Sequence, residues 1–241
     1  MRRLALLSAL CLVLALPVPA RAMDAQKVFA KASGSVVVVV GLNGYKQPVK
    51  FGSGFVVEDG SQVVTNHHVV DGAAGVVVKT PDDQAIKAEV VDVDTVQDLA
   101  LLKLDGKGPA LEVAAELPQV GQEVAAIGTP KGLERTLSTG VVSAVRTLQG
   151  REVVQITAPV SQGSSGGPVL DAAGRVVGVA TFVFTEGQNL NFAIPCTAVR
   201  HFLGRPVEKR ESFKRAAGEY LQIDKAPDGS ITIIQKRKSG Q

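Results

Sequence analysis

Three segments of this chain carry residue types that can do chemistry together. The first is Gly163-Ser164-Ser165-Gly166-Gly167-Pro168. A serine set among glycines suits a nucleophile, because the backbone turns tightly and exposes its amides. Two amides converging beside the serine oxygen can hold a tetrahedral oxyanion. The second is Thr65-Asn66-His67-His68-Val69-Val70, at the end of an apolar strand pattern. A hydroxyl nucleophile needs a base that titrates near neutrality, and histidine is that base. Only three histidines occur, His67, His68 and His201. The adjacent pair supplies the candidate, and residue types alone do not choose between its members. The third is Asp98-Leu99-Ala100-Leu101-Leu102-Lys103. A carboxylate heading a fully apolar strand is expected to be partly buried, and a buried charge needs a partner. A histidine side chain would serve.

The Ser165 segment also fits G-x-S-x-G, the nucleophile elbow of hydrolases that run Ser, acid, His along the chain. The only histidine after Ser165 is His201, and Pro168-Val169-Leu170 reads as strand where the elbow requires helix. The order here is His, Asp, Ser. That order belongs to acyl-transfer chemistry on a double β-barrel.

The elements around these segments read as strands and turns. Val36–Val40 is an apolar run of strand length, and 54–65 reads as a hairpin turning at Asp59-Gly60. Strands are predicted over 76–79, 88–93 and 99–104, then over 123–127, 136–145, 153–157, 167–170, 176–182 and 192–194. Short helices are predicted over 24–33 and 196–203. Short strands with turn signals every few residues argue a barrel or sandwich. Two groups of strands, about 35–115 and 119–195, argue two barrels joined near Glu116-Leu117-Pro118. The fold class is therefore all-β, a double β-barrel with a short C-terminal helix and a basic tail over 204–241. A hairpin is expected in that tail, across Ala226-Pro227-Asp228-Gly229-Ser230.

Composition narrows the function class. The chain has 26 Lys+Arg and 23 Asp+Glu. The first 22 residues hold Arg2, Arg3 and Arg21 and no acid, so the remaining 219 balance at 23 and 23. A nucleic-acid partner is not expected, since phosphate binding rests on a cationic excess. Hydrophobic residues make up 45%, which excludes global disorder. Arg2 and Arg3 precede a 13-residue apolar run, Leu4–Leu16. That run is shorter than the roughly 20 residues a membrane span needs. Ala20-Arg21-Ala22 follows as an A-x-A cleavage site. A signal peptide over 1–22, cut after Ala22, is expected, with a periplasmic or secreted product and no membrane anchor in the mature protein. The domain proper would then be 23–203. The mature chain keeps one cysteine, Cys196, so no internal disulfide is expected. No His/Cys spacing supplies a metal site, and no cofactor is expected.

The chain resembles the HtrA (Deg) group of exported trypsin-fold serine proteases. The resemblance rests on Gly52-Ser53-Gly54-Phe55, Thr65-Asn66-His67-His68-Val69 and Asp98-Leu99-Ala100-Leu101-Leu102-Lys103. It continues through Val120-Gly121, Ala126-Ile127-Gly128-Thr129-Pro130, Ser138-Thr139-Gly140-Val141-Val142-Ser143, the Ser165 segment and Asn191-Phe192-Ala193-Ile194-Pro195. It implies His68 as base, Asp98 as acid and Ser165 as nucleophile. It also implies an oxyanion hole over Gly163, Ser164 and Ser165, its donors the N–H groups of Gly163 and Ser165. Three positions depart from the family pattern: His67 where a small residue or Asn is usual, Thr157 where an Asp is usual, and Ser164 in place of Asn. About 45 residues follow Pro195, which implies no PDZ domain of the kind many relatives carry.

The implied function is an endopeptidase acting on unfolded polypeptides, as monomer or trimer. The alternative is a trypsin-fold binding or chaperone-like protein with little activity. The specificity pocket is expected from Pro159, Thr181, Phe182, Val183 and Leu190. Trypsin-like enzymes carry an Asp six residues before the serine, and Pro159 stands there. Val183 and Leu190 fall where wide pockets have glycines, so cleavage after Val, Ala, Ile or Thr is expected.

Overall fold

The computed structural model describes residues 22–129, 135–148, 150–161, 163–181 and 190–205, and the backbone of 219–225 and 231–237. The expected leader lies outside the described residues except for Ala22.

Twelve strands close into two six-stranded antiparallel barrels. The first consists of β1 (Val36–Leu42), β2 (Pro48–Val57), β3 (Gln62–Thr65), β4 (Gly75–Lys79), β5 (Ala85–Asp94) and β6 (Leu99–Leu104), in the order β1-β2-β3-β6-β5-β4. The second consists of β7 (Glu123–Gly128), β8 (Thr136–Leu148), β9 (Arg151–Ile156), β10 (Pro168–Leu170), β11 (Val176–Thr181) and β12 (Asn191–Pro195), in the order β10-β11-β12-β9-β8-β7. The expected double barrel is thus the observed fold.

Side-chain alternation explains how the valine runs serve both barrels. Successive side chains on a strand point to opposite faces. On β1, Val37 and Val39 join Val56, Val63, Val78 and Leu102 inside the first barrel. Val36 points the other way and joins Phe55, Val64, Leu99 and Leu101 in the larger core shared with the second barrel. β6 has its Leu99–Leu102 stretch fully buried because both of its faces are covered.

β2 starts at Pro48, earlier than the sequence reading placed it. Its first four residues are exposed or half-buried, and they pair with β1 out to Leu42↔Pro48. The mixed pattern Pro48-Val49-Lys50-Phe51 has no buried face to signal a strand. β11 ends at Thr181, and residue 182 lies outside the described residues.

Two helices brace the barrels. α1 (Ala25–Ala32) is N-capped by Asp24, whose side chain accepts from the Lys27 N–H at 3.1 Å. Val28 and Ala32, one turn apart, are buried in the shared core. The Met23 N–H donates to Glu123 Oε2 at 2.6 Å, which fixes the start of α1 to β7. A second helix, Cys196–Leu203, buries Cys196, Val199 and Phe202. Just beyond it, the Arg205 guanidinium lies over the Phe202 ring and pairs with Asp92 and Asp94 of β5. In the tail, strands over Glu219–Lys225 and Ile231–Arg237 pair antiparallel as a separate two-stranded sheet. The expected hairpin is there, and its turn residues 226–230 lie outside the described residues.

Candidate active site

Strand register brings the second and third segments together. Thr65, the last residue of β3, pairs with Ala100 near the start of β6. The chain leaving β3 therefore passes beside the chain entering β6. It turns at Asn66, fully buried, and forms α2 (His67–Val70), a single helical turn.

Asp98 grips that turn from both its side chain and its backbone. Its Oδ1 accepts from the His68 N–H at 2.9 Å, and its Oδ2 lies 2.8 Å from His68 Nδ1. The Thr181 hydroxyl donates to the same Oδ2 at 3.3 Å. The Asp98 carbonyl accepts from the His67 N–H at 3.1 Å and from Asn66 Nδ2 at 2.9 Å. Asp98 has φ +56°, in the left-handed region. Aspartate is one of the few non-glycine types that tolerate it, and the two donors on its carbonyl hold it there.

An ionised carboxylate only accepts hydrogen bonds, so Asp98 selects the His68 tautomer with its proton on Nδ1. The Nε2 lone pair is then free to accept a proton. His67, the alternative of the pair, has Nε2 3.8 Å from Asp71 Oδ1, one turn along the chain.

The backbone of Ser165 is held beside these elements from the second barrel. Its carbonyl accepts from the Ser53 N–H on β2 at 2.8 Å. The neighbouring Gly52 has room for no side chain. A Cβ there would strike Val69 of α2 and come within 3.0 Å of the Ser165 carbonyl oxygen. The helix turn bearing His68 and the backbone of Ser165 thus meet over Gly52. Gly166 makes the second close approach. Its φ is +87°, and a Cβ would fall on the Ser53 carbonyl oxygen and the Thr65 hydroxyl. The Gly166 N–H donates to the Ala180 carbonyl at 2.8 Å, and the Ala180 N–H to Gly167 at 2.8 Å. This pairing continues the β10–β11 ladder and lines up Thr181 with Asp98.

The expected oxyanion segment is ordered by its own backbone. The Gly167 N–H donates to the Ser164 carbonyl at 2.9 Å, and the Ser164 N–H donates to the Ser161 carbonyl at 2.9 Å. Among the described residues, the N–H groups of Gly163 and Ser165 have no acceptor.

The pattern that defines the trypsin-like peptidase domain matches residues 52–179. The chain belongs to the trypsin-like peptidase domain family. It is 36% identical over 200 residues to Protease Do-like 1, chloroplastic, of Arabidopsis thaliana, covering 76% of this chain and 44% of that one. It is 39% identical over 153 residues to a probable periplasmic serine endoprotease DegP-like of Halomonas elongata, covering 60% and 32%. The chain thus spans less than half the length of these relatives. Among solved structures it resembles the active form of a protease from M. tuberculosis, with a TM-score of 0.68, 32% identity, and 73% and 82% of the two chains covered. It also resembles the serine endoprotease of Yersinia pestis, with a TM-score of 0.69, 26% identity, and 88% and 75% covered. These matches support an HtrA-like member of the trypsin-like peptidase family.

Two of the three departures expected from the family pattern make specific local contacts. Thr157 accepts from the Val141 N–H at 2.8 Å, so its hydroxyl stitches β8 to the chain leaving β9. Ser164 packs on Gly128 at the end of β7, where any Cβ would collide with it.

The expected pocket residues are described in part. Pro159 is exposed, and its carbonyl accepts from Ser138 Oγ at 2.7 Å. Leu190 is 38% exposed. Phe182 and Val183 lie outside the described residues. Thr181 is buried and spends its hydroxyl on Asp98, a contact the sequence reading missed when it took Thr181 as a pocket wall. The sequence reading also missed Asn66 and Ser53. Their signal in the sequence was a polar residue between two glycines for Ser53, and one directly after an apolar strand pattern for Asn66.

Proposed function

We propose that this chain is an exported serine endopeptidase in which Ser165 is the nucleophile, His68 the base and Asp98 the acid. The observation that carries the reading is the two-point hold of Asp98 on His68, one carboxylate oxygen on the main-chain N–H and the other on Nδ1. That hold fixes both the tautomer and the ring direction. Ser165 attacks a peptide carbonyl and passes its proton to His68 Nε2. The developing oxyanion is taken by the N–H groups of Gly163 and Ser165. His68 then hands the proton to the leaving amine, and Asp98 stabilises the imidazolium between the two transfers. Water repeats the sequence to release the acyl group.

The substrates we propose are unfolded polypeptides, whose extended segments can lie across the junction between barrels. Support comes from relatives named as probable periplasmic serine endoproteases. Export is supported by the A-x-A site ending at Ala22. Digestion of unfolded casein tests the activity. The wild-type chain should cut it, and Ser165→Ala should lose cutting while keeping its melting temperature. Full casein digestion by Ser165→Ala would refute the assignment.

A further inference from the structure

Ser53 has no exposed surface and sits between two glycines on β2. A hydroxyl has one hydrogen to donate and two lone pairs to accept with. Here all three are used, and all three cross to the second barrel. Ser53 Oγ donates to the Gly163 carbonyl at 2.7 Å. It accepts from the Thr129 N–H at 2.9 Å, just past the end of β7. The Thr129 hydroxyl lies 3.0 Å away and, since the Ser53 hydrogen is committed to Gly163, it is Thr129 that donates. The main chain of Ser53 is engaged as well. Its N–H donates to the Ser165 carbonyl at 2.8 Å, and its carbonyl accepts from the Thr65 hydroxyl at 2.7 Å.

The bond to Gly163 matters because of which peptide it holds. The carbonyl of Gly163 and the N–H of Ser164 belong to one planar unit. Ser53 takes the carbonyl end, and the Ser161 carbonyl takes the N–H end at 2.9 Å. A planar unit held at both ends cannot rotate without breaking one bond. Gly163 has φ +96°, a glycine conformation with little barrier of its own to reorientation. Without an anchor, the unit that separates the Gly163 N–H from the Ser165 N–H would be free to turn.

We propose that Ser53 is a positioning residue for the oxyanion-binding segment, holding the Gly163–Ser164 peptide from the opposite barrel. This inference rests on the Ser165 mechanism proposed above. It adds that the donor geometry is set by a side chain of the first barrel, so the two barrels must be in register for the site to be complete.

The test is steady-state kinetics on a peptide substrate, with inhibition by a peptide aldehyde that forms a tetrahedral adduct on the serine. Ser53→Ala should lower kcat by about 10–100-fold, a share of what loss of a direct oxyanion donor removes. Its KM should stay within about 3-fold, and aldehyde affinity should fall by the same factor as kcat/KM. Ser53→Cys, which keeps a weak donor of similar size, should recover part of kcat. It is also the variant to read if the alanine chain does not fold. An unchanged kcat in both foldable variants overturns the inference, as does a loss confined to KM. A wild-type chain with no turnover would instead overturn the protease reading beneath it.

Discussion

Asp98→Asn separates charge from geometry at this site. Asparagine has the same shape and tolerates the left-handed φ of +56° at least as well as aspartate. The fold should therefore survive. The amide cannot accept from both the His68 N–H and His68 Nδ1–H with two oxygens, as Asp98 does. One hold is lost, and the wrong ring tautomer becomes available. We expect kcat/KM to fall by about 10³–10⁴-fold with little change in melting temperature, measured on a peptide ester and by circular dichroism. An activity within tenfold of wild type would show that Asp98 does not orient His68. At the same scale, Cys196 is a buried thiol donating to the Glu116 carbonyl at 3.1 Å. Dithiothreitol should leave activity unchanged. Burial pushes the Cys196 thiol up from its ordinary value. A group whose pKa is raised in the folded state contributes stability that is complete below its unfolded pKa, about 8.5 for a thiol, and is lost as pH rises through the folded value. The melting temperature should thus fall more steeply above about pH 8.5 in the native chain than in Cys196→Ala. Parallel curves would contradict this.

Helix ends are where this fold is braced, and they show how far a sequence can be read. The helix over Cys196–Leu203 was legible from its apolar spacing, but its anchor was not. Arg205 stands in a run of basic residues that reads as solvated tail, and only the tertiary fold places it on Asp92 and Asp94. Those carboxylates belong to β5, more than 100 residues earlier, and are 4% and 9% exposed. Removing the guanidinium takes the cation away from two buried carboxylates of one strand, and with it the direct bond to Asp94. Arg205→Ala should cost about 2–3 kcal/mol in urea unfolding, and a chain ending at Gly204 should show the same loss. A chain ending at Arg205 should not. Equal stability of the two truncations would remove Arg205 from the account. At the other end, the Met23 N–H already meets Glu123. A chain that begins at Met23, as cleavage after Ala22 would leave it, carries an ammonium there. Glu123→Gln should then lower the melting temperature by about 1–3 °C, and by less in a chain extended upstream. The same lesson applies to β2. Its buried half was legible as a hairpin arm, while its exposed half at Pro48-Val49-Lys50-Phe51 is strand only because β1 pairs with it.

At the scale of the molecule, each barrel supplies part of the proposed site and neither would be complete alone. The first carries His68, Asp98 and Ser53, and the second carries Ser165, Thr181 and the proposed oxyanion segment. The double barrel and the order of the three chemical residues were legible because strand periodicity and glycine-framed motifs are local signals. The contacts across the junction were not, since they depend on which faces the closed barrels present to each other. Substrate choice also belongs to this scale. With Pro159 in place of a buried acid, cuts mapped by mass spectrometry should fall after Val, Ala, Ile or Thr, and a map dominated by Lys and Arg would contradict the pocket while sparing the triad. The most direct measurement of the central claim is covalent labelling of the folded chain with a fluorophosphonate, followed by peptide mapping of the adduct. The account predicts one labelled residue, Ser165, with labelling lost in His68→Ala. A folded chain that never labels, or one that labels at another serine, would contradict it.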